Sequence, residues 1–313
     1  MNIRNFQAGD EAAQVAIYNT AGAPLPKFKP TTLQEVQRRT RVRNFDQASR
    51  FYAIEGGKTV GYCNFNPNGR VSFPWCLPGH EACAEPLFTA ALAAMKQRGL
   101  STAFAAYRGD WPQVHDFFLK QGFQRVRDML NFIIDLLDMP TPSSMPSTSI
   151  TPLEVKDVPD VYALAPQMLR CKDAHALQQH LFHNPFFPST SLFALRGRDT
   201  GRVVAAGVLV TEATYANPKA LDAMMPCYRL GAFGTETMNW KRINGMFSFL
   251  ARPDNSLPAL ALDLMGHAAY RLRDTDDLDT LAAQVASDQP AFVRFYDRNF
   301  RRQGSFPEFE LKL

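Results

Sequence analysis

Apolar positions along this chain fall into two successive rounds of one alternation. In the first round, Ile3-Arg4-Asn5-Phe6 has the period of a strand, and Gly9-Asp10 opens a helical stripe that runs through Ile17. A second helix is predicted over 34–42. Phe51-Tyr52-Ala53-Ile54 and the run 59–65 are apolar stretches joined by Gly56-Gly57, the pattern of a hairpin. The spacing then predicts a strand over 71–76, a long helix over 85–98 stopped by Gly99, a strand over 101–106, a helix over 114–121 and a strand over 130–134.

The second round repeats this order. A short strand at 150–153 precedes Asp157 and a helix to Ala165, and a second helix covers 177–182. Strands at 191–195 and 203–210 meet through Asp199-Thr200-Gly201. A strand over 245–251, a long helix over 257–273, a strand over 280–285, a helix over 290–298 and a terminal strand complete it. The two rounds end alike. Phe117-Phe118-Leu119-Lys120-Gln121-Gly122-Phe123 and Phe295-Tyr296-Asp297-Arg298-Asn299-Phe300 each close a helix and lead into a final apolar run. One unit therefore explains both halves.

Between the halves, the stretch 139–149 is rich in Pro and Ser, without apolar period, and reads as an extended linker. The expected domains are residues 1–138 and 150–313. The segment 213–240 has no counterpart in the first half and reads as an insertion, the kind of segment that carries function.

Composition narrows the function classes. The chain has 313 residues, of which 46% are hydrophobic, enough for two cores. No stretch is long and apolar enough to cross a bilayer, and the start lacks a signal-peptide core, so the expected location is the cytoplasm. Five cysteines without a CxxC pair argue against a disulfide framework or a zinc ribbon. A net charge of +4 suits an anionic ligand but is too small and dispersed for nucleic acid. His180 and His183 share a helix face without an acidic motif, so no metal is expected. Gly231-Ala232-Phe233-Gly234 is too short for a dinucleotide loop. Trp75, Tyr107 and Trp111 read as core or cleft lining rather than a base-stacking platform.

The order strand, helix, helix, three strands, helix, strand, helix, strand resembles the GNAT acyltransferase superfamily, in tandem over nearly the whole chain. The resemblance implies an α/β fold of two GNAT-like domains, each a central mixed sheet flanked by helices. It also implies direct acyl transfer from acetyl-coenzyme A, as co-substrate, to an amine. In that family, a loop of pattern Gln/Arg-x-x-Gly-x-Gly/Ala before the central helix turns its backbone N–H groups towards the pyrophosphate. Unpaired donors and the positive end of the helix dipole supply the attraction. A later Tyr-x-x-x-Gly-Phe provides the acid that protonates the departing thiolate.

The first half departs from both motifs. Its loop reads Glu81-Ala82-Cys83-Ala84-Glu85-Pro86, with two acids where a polyanion would bind, and Phe118 stands at the acid position. This half is expected to keep the fold without the catalysis. The second half departs less. Ser256-Leu257-Pro258-Ala259-Leu260-Ala261 keeps small residues, although Pro258 removes one donor and Asp254 adds a negative charge. The cofactor-binding residues implied are Ser256, Leu257, Ala259, Leu260 and Ala261. Tyr296 is the implied acid, at a spacing one residue short and without the Gly; a half-buried structural tyrosine is the competing reading. Arg271, Arg273 and Arg294 are candidates for the 3′-phosphate or are solvated helix positions. Glu236 in the insertion is the candidate base, ahead of Asp222, and an ordinary surface carboxylate is the competing reading.

Two functions follow from different classes. One is an N-acyltransferase acting in the second half on a small-molecule or peptide amine. The alternative is a non-catalytic GNAT-like protein that binds a ligand or partner. The enzyme reading expects the strand before Ala259 to part from its neighbour. A homodimer is compatible with either.

Overall fold

The computed structural model describes residues 1–28, 30–41, 45–140, 148–169, 171–183, 188–210, 245–272 and 280–313. In chain order the first half forms β1 (Asn2–Asn5), α1 (Asp10–Gly22), α2 (Leu33–Thr40), β2 (Arg50–Glu55), β3 (Lys58–Asn64), β4 (Trp75–Cys76), α3 (Ala84–Gln97), β5 (Thr102–Ala106), α4 (Pro112–Lys120) and β6 (Gln124–Asp135). The second half forms β7 (Thr148–Pro152), α5 (Val158–Leu164), α6 (Ala174–Phe182), β8 (Leu192–Gly197), β9 (Val203–Val210), β10 (Gly245–Ala251), α7 (Leu257–Leu272), β11 (Thr280–Ala286), α8 (Pro290–Asn299) and β12 (Arg301–Lys312).

Local chemistry sets several of these boundaries. Thr32 and Glu35 cap α2 reciprocally: the Thr32 hydroxyl accepts the Glu35 N–H at 3.2 Å, and the Glu35 carboxylate accepts the Thr32 N–H at 2.9 Å. The strand expected over 71–76 is regular only at Trp75–Cys76. Pro74 has no N–H for a ladder, and Val71 forms an isolated bridge with Phe65 while its N–H donates to the Phe104 carbonyl at 2.9 Å. The start of the first helix is built alike in both halves, with its aspartate held by an arginine from β1 in one and from β8 in the other. Asp10 accepts the Gln7 N–H at 2.7 Å and pairs with Arg4 at 2.7 Å; Asp157 accepts the Glu154 N–H at 3.1 Å and pairs with Arg196 at 2.8 Å.

The chain divides into two compact units, residues 1–128 with 306–313, and residues 129–305. These units do not follow the sequence halves. In the first unit, β1, β2, β3 and β4 form an antiparallel sheet in that order. β5 pairs antiparallel with the end of β12, from Glu308 opposite Ala106 to Lys312 opposite Thr102. Phe309 is buried there with Phe118, Trp111 and Ala105 in one core. Arg127, near the start of β6, pairs with the buried Glu308 at 3.0 Å.

In the second unit the strand order is β6, β11, β10, β9, β8, β7. Among the described residues of this unit, β10 and β11 are the pair that runs parallel. Leu130, Phe132 and Ile134 of β6 join α7 and α8 in a core with Leu264, Phe247 and Tyr296. Helices α5 and α6 bury Val158, Val161 and Leu177 in a second cluster with Leu192, Ala194 and Val210. Thus the last strand of the first half completes the second unit's sheet, and the end of the last strand of the second half completes the first unit. Of the expected linker 139–149, Thr148 and Ser149 belong to β7, Met139 is buried against the second unit's core, and residues 141–147 lie outside the described part.

Candidate functional site

The sequence directs attention to the start of α7. The preceding strand, β10, buries Phe247, Phe249 and Ala251 on one face. Among the described residues, its parallel pairing with β11 covers Gly245 opposite Leu281 and Met246 opposite Ala282. From Phe247 to Ala251, β10 stays paired with β9 and no longer with β11. The two strands therefore part over the five residues that lead to α7. Where parallel strands separate, edge N–H and C=O groups lose their strand partners and become available to an extended ligand.

Asp254 organises the loop between β10 and α7. Its carboxylate accepts the Ser256 N–H at 2.9 Å and the Ser256 hydroxyl at 2.5 Å, and its carbonyl accepts the Leu257 N–H at 3.2 Å. The hydroxyl bond, then the N–H bond, hold this exposed carboxyl below its usual range. An anion supplied by the chain itself thus occupies donors at a helix start. Leu257, Leu260 and Ala261 send their side chains into the core, whereas Ser256, Pro258 and Ala259 are exposed. Among the five residues expected to bind cofactor, the structure brings Ser256 and Ala259 to the surface at the helix start.

Tyr296 lies on α8 with only 2% of its surface exposed. Its ring stacks on Phe132 at 5.3 Å between centroids and meets Phe300 at 5.0 Å edge-on. Phe249 and Phe247, from the part of β10 that has left β11, lie 6.1 and 6.3 Å away. Tyr296 therefore sits directly beneath the divergence. Burial pushes its hydroxyl well above the ordinary tyrosine value, so it keeps its proton throughout the physiological range. Arg271 is exposed and stacks over Phe193 at 5.3 Å, and Arg294 is exposed on α8. Glu236, Asp222, Arg273 and the insertion 213–240 lie outside the described residues.

The first unit has a matching divergence, filled by side chains. Arg70 and Phe104 form one parallel bridge, after which Trp75–Cys76 joins β3. The Phe73 N–H donates to the Tyr107 hydroxyl at 2.6 Å. Trp75, Tyr107 and Trp111 surround this point with centroid separations of 6.1 to 6.5 Å. At the start of the following helix, Glu81 accepts the Gly79 N–H at 3.0 Å. Phe118, at the acid position, is fully buried against Phe88, Phe123 and Phe309. The hydroxyl contact of Tyr107 was not foreseen, because it joins groups 34 residues apart and leaves no periodic trace.

Among the described residues, no group of three His, Cys, Asp or Glu side chains could hold a metal ion, and no helix is long and apolar enough to cross a membrane. No protein-family model matches the sequence, and no curated protein does. Solved structures match the fold. A GCN5-related N-acetyltransferase from Sphaerobacter thermophilus superposes with a TM-score of 0.64 at 12% identity, over 99% of this chain and 95% of that one. A tandem GNAT protein from the clavulanic acid biosynthesis pathway gives 0.60 at 12% identity, over 99% and 98%. A GNAT-family acetyltransferase from Colwellia psychrerythraea gives 0.52 at 13% identity, over the full length of both chains. At such identities the likeness is one of fold, and along nearly its whole length this chain has the fold of the GCN5-related N-acetyltransferases.

Proposed function

We propose that the second unit is an acyl-CoA-dependent N-acyltransferase that moves an acetyl group to a small-molecule or peptide amine. The observation that carries this reading is the parting of β10 from β11 after Met246, immediately before the small, exposed first turn of α7. The acyl thioester of coenzyme A would supply an activated carbonyl for the amine.

The residues present fit that co-substrate after one displacement. Asp254 must swing away from Ser256 before the N–H groups of Ser256 and Ala259 can face a diphosphate. Pro258 contributes no donor. Tyr296 holds a proton on its hydroxyl beneath the strand gap and would be the group that protonates the departing sulfur. Glu236, assigned from sequence alone, would take the proton of the attacking amine. The first unit lacks these features: Tyr107 occupies the Phe73 N–H, and Phe118 has no proton to give. A cytoplasmic location, where acetyl-coenzyme A is made and used, accords with this reading.

Calorimetric titration with acetyl-coenzyme A, beside an Ala259→Glu control, tests it. Micromolar binding that disappears in the control is expected, because the exposed Ala259 becomes a bulky anion where the diphosphate would lie. Absence of binding to the unaltered protein would remove the reading. Binding that survives Ala259→Glu would move the cofactor away from α7.

A further inference from the structure

Two cysteines in the first unit meet across separate elements. Cys76 ends β4, and Cys83 immediately precedes α3; their sulfurs are 3.0 Å apart and share one hydrogen bond. Cys76 is half-buried, whereas Cys83 is 2% exposed. The backbone makes room for the meeting. Gly61 of β3 pairs directly with Cys76, and a Cβ at this glycine would lie 2.5 Å from the Cys83 sulfur and 3.1 Å from the Trp75 carbonyl. A side chain at 61 would overlap the Cys83 sulfur and force it, or the strand beside it, to shift. The other described thiols are placed differently: Cys63 is buried with its sulfur on the Ser72 carbonyl at 3.4 Å, and Cys171 lies in the second unit.

We propose that Cys76 and Cys83 are a reversible dithiol–disulfide pair that ties the end of β4 to the start of α3. The hydrogen bond with Cys76 draws the Cys83 thiol below the ordinary cysteine value, while that bond and burial push Cys76 up, so the first step is assigned to Cys83. The oxidant is a small peroxide. The Cys83 thiolate attacks one peroxide oxygen, the O–O bond breaks, and hydroxide leaves, giving a sulfenic acid. The Cys76 sulfur then attacks the Cys83 sulfur; the S–S bond forms and the sulfenic oxygen leaves as water, taking the Cys76 proton. Two thiols and one peroxide become one disulfide and two waters. A thiol reductant reverses the change by exchange. The bond would fix β4, which is held to β3 by only two residue pairs, against the helix start that carries Glu81 and Glu85.

The test uses the full chain, reduced and then treated with hydrogen peroxide. Remaining thiols are blocked with N-ethylmaleimide after denaturation, and tryptic peptides are weighed. Cleavage after Arg70 and Lys96 places both cysteines on one peptide. The expected result is that this peptide becomes two hydrogens lighter and unlabelled, while Cys63 and Cys171 stay labelled. Dithiothreitol added before blocking should restore both labels. A peptide 71–96 that keeps both labels would overturn the proposal, as would sulfinic acid on one cysteine with the other still labelled. Gly61→Ala provides a second arm, with cross-linking expected at least tenfold slower. An equal rate in a folded Gly61→Ala protein would also overturn it.

Discussion

At the scale of single residues, the site proposed for the second unit gives two side chains opposite roles. Asp254 stabilises its own loop and competes with any incoming anion for the Ser256 N–H. Asp254→Ala should therefore tighten acetyl-coenzyme A binding several-fold in a calorimetric titration; weaker binding would show that α7 does not receive the diphosphate. Tyr296→Phe should lower turnover by about 100-fold, the scale of one lost proton donor, and leave the acetyl-coenzyme A dissociation constant nearly unchanged. Unchanged turnover would return Tyr296 to the role of a packed core ring. The sequence singles out both residues, Asp254 as an unfavourable charge and Tyr296 as a motif position, and their roles rest on the proposed function. The surroundings of Tyr296 are not legible there: Phe132 and Phe247 reach it from strands far apart in the chain, and periodicity records the face a residue occupies, never the neighbour across it.

At the scale of elements, Asp10 and Asp157 hold equivalent helix starts in the two halves. Burial alone would raise both carboxyls, but hydrogen bonds from Arg4 and Arg196 and from backbone N–H groups bring them below the ordinary aspartate value. The sign follows from linkage. Each stabilising contribution is complete above the unfolded value of about 3.9 and is lost as pH falls through the lower folded value. Asp10→Asn and Asp157→Asn should each reduce stability at pH 7 and flatten the loss of stability below about pH 4, as read by urea unfolding at both pH values. Equal slopes in variant and unaltered protein would contradict it. Most elements follow the apolar pattern closely, since one face of each is buried. The strand expected at 71–76 does not, because Pro74 interrupts the ladder where the apolar run continues.

At the scale of the whole molecule, the sequence reads as two halves, whereas the compact units divide the chain elsewhere. The Pro- and Ser-rich stretch near 139–149 marks where one repeat gives way to the next, but β6 and β12 each spend their strand period in a unit other than the one the linker assigns. Exchanging equivalent strands between repeats leaves the pattern of buried and exposed positions almost unchanged, so the sequence carries no sign of it. A fragment of residues 1–138 would lack the strand that covers Ala103, Ala105 and Phe118 and would expose Leu130, Phe132 and Ile134. Such a fragment should be insoluble or only partly folded by circular dichroism, and a peptide of residues 301–313 should improve it. A soluble fragment with a sharp unfolding transition would show that the exchanged strand is dispensable.

The same exchange imposes an order on biosynthesis. A ribosome delivers β1 to β5 early, yet the segment that shields the outer edge of β5 emerges about 200 residues later. At typical elongation rates of about 5–20 residues per second, that edge waits roughly ten seconds or more. During that interval the nascent first unit presents an open β edge, a surface that invites pairing with other chains. Slow translation across residues 129–300 would prolong the exposure, and a chaperone that covers strand edges would be most useful during this interval.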